Sequence, residues 1–386
     1  MPLRTLSAVG ISSEFKYVAA CSLSAAVGVA LIGIPAPASA DQINGLAAVS
    51  AATRVEPQNR PGALGDPATW TDKQLAAQLL LVGATSSQLK KVKSAVREGI
   101  GGIVLFGTPP ANLASKLAGL RAIAPGNRLL VSSDEEGGRV QRLAALIGKM
   151  PSAKSIGQTK TPEQTRALAF KFGKRMKQIG IGTDLAPVAD LAYAGSWTDT
   201  DGRAFKSNPK RNGVYVTAFA AGLKDAGVMA TVKHWPGGGA VTDTHVAGGK
   251  TPRWSKLKKR DLVPFQAAFA AGVGGVMVSH ASIPGLTGGV PGSQSRPALQ
   301  ALRGQAGDRT LIITDSLAMA AVTTVMEQSQ SQAAVRALVN GADLALIQSG
   351  SPLKIRNAII RAMENGRLPR EQAVASARRI LSAQQG

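Results

Sequence analysis

The sequence predicts an α/β fold in which residues 67–386 form one (β/α)8 TIM-type barrel. Short apolar runs recur along this stretch, separated by segments long enough for a crossover helix. Continuous apolar strands that alternate with helices are typical of a parallel sheet covered on both faces. Eight such runs favour a closed barrel, with an open doubly wound sheet as the alternative. The predicted strands are residues 79–82, 103–106, 129–131, 182–186, 228–232, 275–278, 311–313 and 344–347.

The first 40 residues are typical of an export signal rather than of a fold. A weakly basic start precedes an apolar run at 17–34, and Ala38 and Ala40 occupy the small-residue positions that signal peptidase requires. We therefore expect cleavage before Asp41, a secreted or cell-wall-associated protein, and no integral membrane segment in the mature chain. One alternative is an uncleaved membrane anchor, since the run is barely long enough to span a bilayer. Another is a lipoprotein, because Cys21 follows a short lipobox-like sequence.

Residues 41–66 are rich in Ala, Gly, Pro and polar residues without sustained periodicity. This composition predicts a linker or N-terminal arm before the barrel. Cys21 is the single cysteine of the chain. If it is removed with the signal, the mature protein has neither a disulfide nor a thiolate metal site.

The chain is strongly basic, with a formal net charge of +22. A large positive field attracts polyanions. For an exported protein the expected polyanions are the anionic polymers of the cell wall, and the alternative is that the charge only keeps the protein soluble. We do not expect nucleic acid as a partner, because Lys and Arg are scattered and aromatic residues make up only 4% of the chain.

Polar clusters follow five of the predicted strands, and in a barrel the C-terminal strand ends build the active site. The side chains that should meet there include carboxylates, a lysine, arginines and histidines. In chain order the clusters contain Asp134, Glu135, Glu136 and Arg142, then Asp190, then Lys233 and His234, then His280, and finally Asp315.

Carboxylates combined with Asp, Arg, Lys and His side chains suit the binding of sugar hydroxyls. Glycosidases use one carboxylate as nucleophile or base and a second group as acid. Asp243 precedes His245 by two residues, and a carboxylate can fix the tautomer of a histidine and raise its basicity. A metal site built from His234, His245, Asp243 and Asp315 is disfavoured because the cation of Lys233 is adjacent to His234. We expect neither a metal nor a cofactor.

These segments resemble glycoside hydrolase family 3, specifically its single-domain bacterial β-N-acetylglucosaminidases. Six motifs carry the resemblance, in order, over residues 70–350. They are Gly-Gly-Ile-Val-Leu-Phe-Gly at 101–107, Asp-Glu-Glu-Gly-Gly-Arg-Val at 134–140, Ala-Pro-Val-Ala-Asp at 186–190, Arg-Ala-Phe at 203–205, Lys-His-Trp-Pro-Gly at 233–237 with Asp-Thr-His at 243–245, and Thr-Asp-Ser-Leu-Ala-Met at 314–319.

The resemblance implies roles for individual residues. Asp315 corresponds to the nucleophile that forms a covalent glycosyl–enzyme intermediate, His245 to the acid/base, and Asp243 to the aspartate that orients it. The residues that match sugar-binding positions are Asp134, Arg142, Arg203, Lys233 and His234. The implied activity is a retaining, exo-acting release of terminal β-linked N-acetylglucosamine from cell-wall (peptidoglycan) fragments or related glycans. The alternatives are a β-glucosidase or glycoside phosphorylase of the same family, and a non-catalytic wall-binding barrel.

Two departures from the family pattern fall close to His245. The family's Pro-Gly-His-Gly is Pro-Gly-Gly-Gly here, so Gly238 replaces a histidine, and the stretch from Gly239 to Asp243 is one residue shorter than expected. Both changes can shift the acid/base or loosen its loop, since successive glycines favour disorder. Three further residues are assigned from their positions. Glu136 is expected to support the adjacent Gly-Gly turn, Trp235 to pack in the interior, and His280 either to contact substrate or to support a residue that does.

Overall fold

The computed structural model describes residues 65–241 and 248–385. The strands, in chain order, are β1 (Leu80–Thr85), β2 (Gly102–Phe106), β3 (Leu130–Ser133), β4 (Glu135–Gly137), β5 (Val140–Gln141), β6 (Thr183–Asp184), β7 (Met229–Trp235), β8 (Gly275–Val278), β9 (Leu311–Thr314) and β10 (Ala345–Ile347). The α-helices are α1 (Asp72–Gln78), α2 (Lys93–Arg97), α3 (Leu113–Ala122), α4 (Ala144–Ile147), α5 (Ala153–Thr159), α6 (Pro162–Gln178), α7 (Trp197–Thr200), α8 (Pro209–Asp225), α9 (Trp254–Lys259), α10 (Val263–Ala270), α11 (Arg296–Ala306), α12 (Gln330–Val339), α13 (Pro352–Glu364) and α14 (Arg370–Gln385).

Eight strands form one parallel sheet in the order β10-β1-β2-β3-β6-β7-β8-β9. A parallel bridge between Ile313 and Leu344, and a 3.1 Å hydrogen bond from the Thr314 N–H to the Leu344 carbonyl, connect β9 to the residue before β10. The sheet is therefore nearly closed into a ring with helices around it. The predicted barrel is confirmed, and each of the eight predicted runs overlaps a strand of the ring.

The ring strands are apolar because both of their faces are covered. Every residue of β3, β8 and β9 is buried. Each large aliphatic side chain removed from water in this way contributes about 1.5–3 kcal/mol. Trp235 at the end of β7 is completely buried and packs edge-on against Trp254 at a centroid distance of 5.9 Å. Its predicted packing role is confirmed.

The outer helices begin at residues that cap them and approach one another at small side chains. Thr161 begins α6 with a capping box, in which its hydroxyl accepts from the Gln164 N–H and the Gln164 side chain accepts from the Thr161 N–H. Helices α6 and α8 then pack so closely that a Cβ on Gly222 would lie 2.2 Å from the Arg166 carbonyl oxygen. Only glycine allows this close approach of the two helices.

The antiparallel pair β4–β5 is the one part of the described sheet structure that the strand pattern did not predict. It follows β3 directly, in a segment expected to be a polar loop. Gly137, the last residue of β4, and Gly138, which follows it, both have positive φ angles, of 84° and 60°. The hairpin turns the chain sharply after β3 and brings Arg142 back toward Asp134, whose carbonyl accepts a hydrogen bond from the Arg142 N–H.

Residues 1–64 lie outside the described residues, and with them the predicted signal at 1–40 and most of the predicted arm at 41–66. Across the parts of the chain that the structure describes, no helix has the length and apolar character needed to cross a bilayer.

Candidate active site

Lys233 is the centre of a charged network at the C-terminal ends of β3 and β7. Its ammonium group lies 2.6 Å from Asp134 Oδ1 and 2.7 Å from Glu136 Oε1, and its side chain is buried. Burial alone would lower the pKa of Lys233, but the two carboxylates raise it above its usual value. The ammonium group therefore stays charged and can donate to an oxygen-rich ligand.

Glu136 lies between two cations. Arg203 donates from Nε and Nη2 to the two carboxylate oxygens of Glu136, each at 2.7 Å, and Lys233 Nζ lies 2.7 Å from one of them, Oε1. Burial raises the pKa of Glu136, but the charges of Lys233 and Arg203 outweigh it and lower the pKa to about 2. The expected role as support for the glycine turn is thus incomplete, because Glu136 fixes two of the predicted sugar-binding residues. The sequence did offer one signal for this role of Glu136, which is its position two residues after Asp134.

Arg142 lies at the edge of this network. Its Nε is 3.9 Å from Asp134 Oδ2, and its guanidinium carbon is 5.9 Å from the centre of the Phe106 ring. The structure therefore brings together Asp134, Arg142, Arg203 and Lys233, four of the residues assigned to sugar binding.

Asp190 fixes His234, the fifth residue assigned to sugar binding. The Nδ1 atom of His234 lies 2.7 Å from Asp190 Oδ2, and Asp190 Oδ1 accepts from the His234 N–H at 3.1 Å. An ionised carboxylate accepts hydrogen bonds but cannot donate them, so in this pair Nδ1 carries the proton. Asp190 was noted at the end of a predicted strand but was not assigned to the site. It is completely buried and belongs to the site through His234.

Asp315 directly follows β9. Its N–H donates to the Val278 carbonyl at 3.0 Å, and its Oδ1 accepts from the Ser316 N–H at 2.7 Å. Burial raises the pKa of Asp315, but His234, His280 and Lys233, together with the Ser316 N–H, bring it below its usual value. The carboxylate is therefore ionised, as a nucleophile requires.

His280 supports the segment after Asp315. Its Nε2 donates to the Ser316 carbonyl at 2.8 Å, and its Nδ1 lies 2.7 Å from Ser293 Oγ. The ring is almost completely buried. Of the two expectations for His280, these contacts favour support of the nucleophile segment over substrate contact.

The turn that follows His234 requires glycine at position 239. A Cβ on Gly239 would lie 2.0 Å from the Leu191 carbonyl oxygen. The Gly238 N–H donates to Asp190 Oδ1 at 2.5 Å, and the Val241 N–H donates to the Gly238 carbonyl at 3.0 Å. The glycine run is thus held by hydrogen bonds up to residue 241.

The predicted acid/base pair follows that turn in the sequence. Asp243 and His245 fall in residues 242–247, outside the described residues, so their roles stay predictions. In residues 65–241 and 248–385, no group of three or more His, Cys, Asp or Glu side chains is arranged to hold a metal ion.

A separate cavity of about 490 Å³ lies at the other end of the barrel, beside the first residues of β7 and the end of α14. Its wall is mainly Ala, Gly and Val, and the acid in it, Asp225, is paired with Arg166 at 2.7 Å. Barrel enzymes place their chemistry at the C-terminal strand ends, so the Lys233 network, and not this cavity, is the candidate active site.

Comparison with known proteins identifies the family of the chain. The profile of the glycosyl hydrolase family 3 N terminal domain matches residues 70–383. The beta-hexosaminidase LpqI of Mycobacterium tuberculosis is 36% identical over 316 residues, covering 79% of this chain and 80% of that protein. A solved family 3 glycosyl hydrolase from Mycobacterium smegmatis has 35% identity and a TM-score of 0.76, covering 83% of this chain and 98% of that one. A beta-N-acetylhexosaminidase from Beutenbergia cavernae has 26% identity and a TM-score of 0.75, covering 82% and 99%. With a profile match that spans the whole ring of strands, the chain belongs to glycosyl hydrolase family 3.

Proposed function

We propose that the protein is a retaining, exo-acting β-N-acetylglucosaminidase with Asp315 as its nucleophile. The observation that carries the proposal is the ionised Asp315 carboxylate at the barrel mouth, beside the cationic Lys233 and the Asp190-oriented His234. The relatives at 36% and 26% identity, named as a beta-hexosaminidase and a beta-N-acetylhexosaminidase, support N-acetylglucosamine as the sugar.

In the first step an oxygen of Asp315 attacks the anomeric carbon and the glycosidic bond breaks. Protonated His245 donates its proton to the departing oxygen, which leaves as an alcohol. In the second step neutral His245 takes a proton from water, and the oxygen of that water attacks the anomeric carbon and releases Asp315. Two displacements at one carbon give retention of configuration. Asp243 orients the imidazole throughout.

Charged hydrogen-bonding groups hold the sugar during both steps. Hydrogen bonds that involve an ionised partner are about twice as strong as neutral ones, and Lys233 and Asp134 offer a charged donor and a charged acceptor together. Arg142, Arg203 and His234 complete the set. Because Glu136 neutralises part of the positive charge, the network suits a neutral polyol better than a free anion.

The natural substrates proposed are peptidoglycan fragments or related glycans. Two sequence features support this choice: the predicted export signal over the first 40 residues, and the net charge of +22, which favours association with anionic wall polymers. Amino-terminal sequencing of the exported protein should begin at Asp41. Co-sedimentation with isolated cell walls should weaken as salt concentration rises.

Release of nitrophenol from aryl β-N-acetylglucosaminide in phosphate-free buffer tests the activity directly. We expect hydrolysis that is faster than with the aryl β-glucoside and is abolished in Asp315→Asn. Preference for the glucoside would indicate a β-glucosidase, and sugar 1-phosphate formed on addition of phosphate would indicate a phosphorylase. If the aryl substrates are inert and Asp315→Asn changes nothing with any glycan, the chain is a binding protein and the proposal is wrong.

A further inference from the structure

Trp197, the first residue of α7, contacts two sugar-binding side chains at once. The guanidinium carbon of Arg203 lies 4.6 Å from the centre of the Trp197 ring, over its face. The His234 ring meets the same indole edge-on, at a centroid distance of 5.8 Å. A cation over an aromatic face and a ring edge against it are both favourable contacts, and both depend on orientation.

The backbone fixes Trp197 in this position. Its indole N–H donates to the Val241 carbonyl at 2.9 Å. The Thr198 hydroxyl donates to the Leu191 carbonyl at 3.1 Å, and the Arg203 N–H donates to the Thr198 carbonyl at 2.9 Å. Helix α7 is therefore connected through Thr198 to the segment after Asp190 and to the backbone of Arg203, and through the indole to the end of the glycine turn.

The ring also lies where a side chain at position 238 would begin. A Cβ on Gly238 would be 3.5 Å from Trp197 Cζ2 and 3.3 Å from Asp190 Oδ2. The first carbon of a side chain would thus already touch both groups. A larger side chain would compete with the indole for the space beside His234.

We propose that Trp197 is a positioning residue that fills the side-chain space left by Gly238 and aligns Arg203 and His234 for sugar binding. The proposal rests on the proposed function for the identity of the sugar. It also accounts for Gly238, which departs from the family pattern. Gly238 and Trp197 form a compensating pair, in which the ring from α7 occupies the space of the side chain that the turn lacks.

The test is a double-mutant cycle on hydrolysis of the aryl β-N-acetylglucosaminide. We expect Trp197→Ala to raise KM about tenfold or more while kcat changes less, because alignment of binding groups is lost. Gly238→His should impair the protein that retains Trp197 but improve the Trp197→Ala protein about tenfold, since the space is then free. Gly238→Ala adds one carbon 3.3 Å from Asp190 Oδ2, which is tighter than ordinary contact, so in the protein that retains Trp197 it should impair hydrolysis less than Gly238→His does.

Two controls separate positioning from general stability. Trp70→Phe removes an indole N–H bonded to the Gly65 carbonyl at 3.0 Å, outside the site, and should leave KM unchanged. Thermal unfolding identifies any variant that fails to fold. Titration with N-acetylglucosamine, followed by tryptophan fluorescence, should give a signal that is lost in Trp197→Phe and retained in Trp70→Phe.

The proposal is overturned if the effects of Trp197→Ala and Gly238→His on hydrolysis simply multiply, with no rescue of one by the other, and the fluorescence change persists in Trp197→Phe. If N-acetylglucosamine binds the unmodified protein with a fluorescence change that depends on Trp197, but none of the aryl substrates is hydrolysed, the proposed function fails while the positioning role stands.

Discussion

Glu135 is a completely buried carboxyl group beside the sugar-binding network, and its replacement by glutamine tests the electrostatics of the site. Its Oε1 accepts from the Ser133 hydroxyl at 2.6 Å and from the N–H groups of Arg142 and Leu143 at 3.2 and 3.1 Å. Burial, aided by the charge of Asp134, nevertheless raises the pKa of Glu135 from 4.5 to about 7. A glutamine oxygen can accept the same three bonds without carrying charge.

The magnitude follows from the pKa difference between the folded and unfolded states. The folded state holds the proton more tightly, so the stability associated with Glu135 is full below pH 4.5 and is lost as the pH rises toward 7. A shift of this size corresponds to about 3 kcal/mol. Between pH 5 and pH 8, the free energy of unfolding of Glu135→Gln should therefore rise relative to the unmodified protein by about 2–3 kcal/mol. Burial and the charge of Glu135 also raise the pKa of Asp184. Glu135→Gln removes the repulsion between these two carboxylates, which changes the free energy of unfolding in the same direction.

Urea unfolding of both proteins at pH 5, 6, 7 and 8 measures the difference. Glu163→Gln is the matched control. Glu163 is exposed, and the Thr161 hydroxyl lowers its pKa, so it is ionised across this pH window and its difference curve should be flat. A flat curve for Glu135→Gln as well would refute the assignment of a buried, partly protonated carboxyl group beside the sugar site.

Three further substitutions have expected outcomes. Lys233→Met leaves the buried Glu136 and the partly buried Asp134 without their shared cation, so urea unfolding should show a loss of about 3–5 kcal/mol and aryl-glycoside hydrolysis should disappear. Asp190→Asn keeps an acceptor for the backbone but alters the tautomer of His234, so kcat/KM should fall about 100-fold with little change in thermal unfolding. Gly239→Ala forces a Cβ against the Leu191 carbonyl, so thermal unfolding should show a loss of about 1–3 kcal/mol. Full activity with unchanged stability in any of the three would contradict the corresponding contact.

The barrel could be predicted from the sequence because burial of strands on both faces leaves a strong local signal. Runs such as Gly275–Val278 and Leu311–Thr314 contain residues that are all buried, and each is followed by a polar cluster. The hairpin at Glu135–Gly137 and Val140–Gln141 left no such signal. Its strands are short and polar, and it forms because two glycines with positive φ angles turn the chain.

The site could be predicted only as a set of residue types at strand ends. The sequence placed Asp134, Lys233 and Asp315 at one mouth, but pair contacts across distant segments have no local pattern. The bond between Asp190 and His234 joins residues 44 positions apart, and the contact of Trp197 with Arg203 depends on how α7 is packed. Such partners are fixed by the tertiary fold rather than by spacing along the chain.

The central claim is that Asp315 forms a covalent bond to the sugar. The most direct measurement is intact-protein and peptide mass spectrometry of His245→Ala, quenched with acid during reaction with the aryl β-N-acetylglucosaminide. An activated leaving group needs little acid assistance, whereas hydrolysis of the intermediate needs the missing base, so the glycosyl–enzyme should accumulate. The account predicts one added N-acetylglucosaminyl group located on Asp315. An adduct on a different residue, or continued turnover by Asp315→Asn, would contradict it.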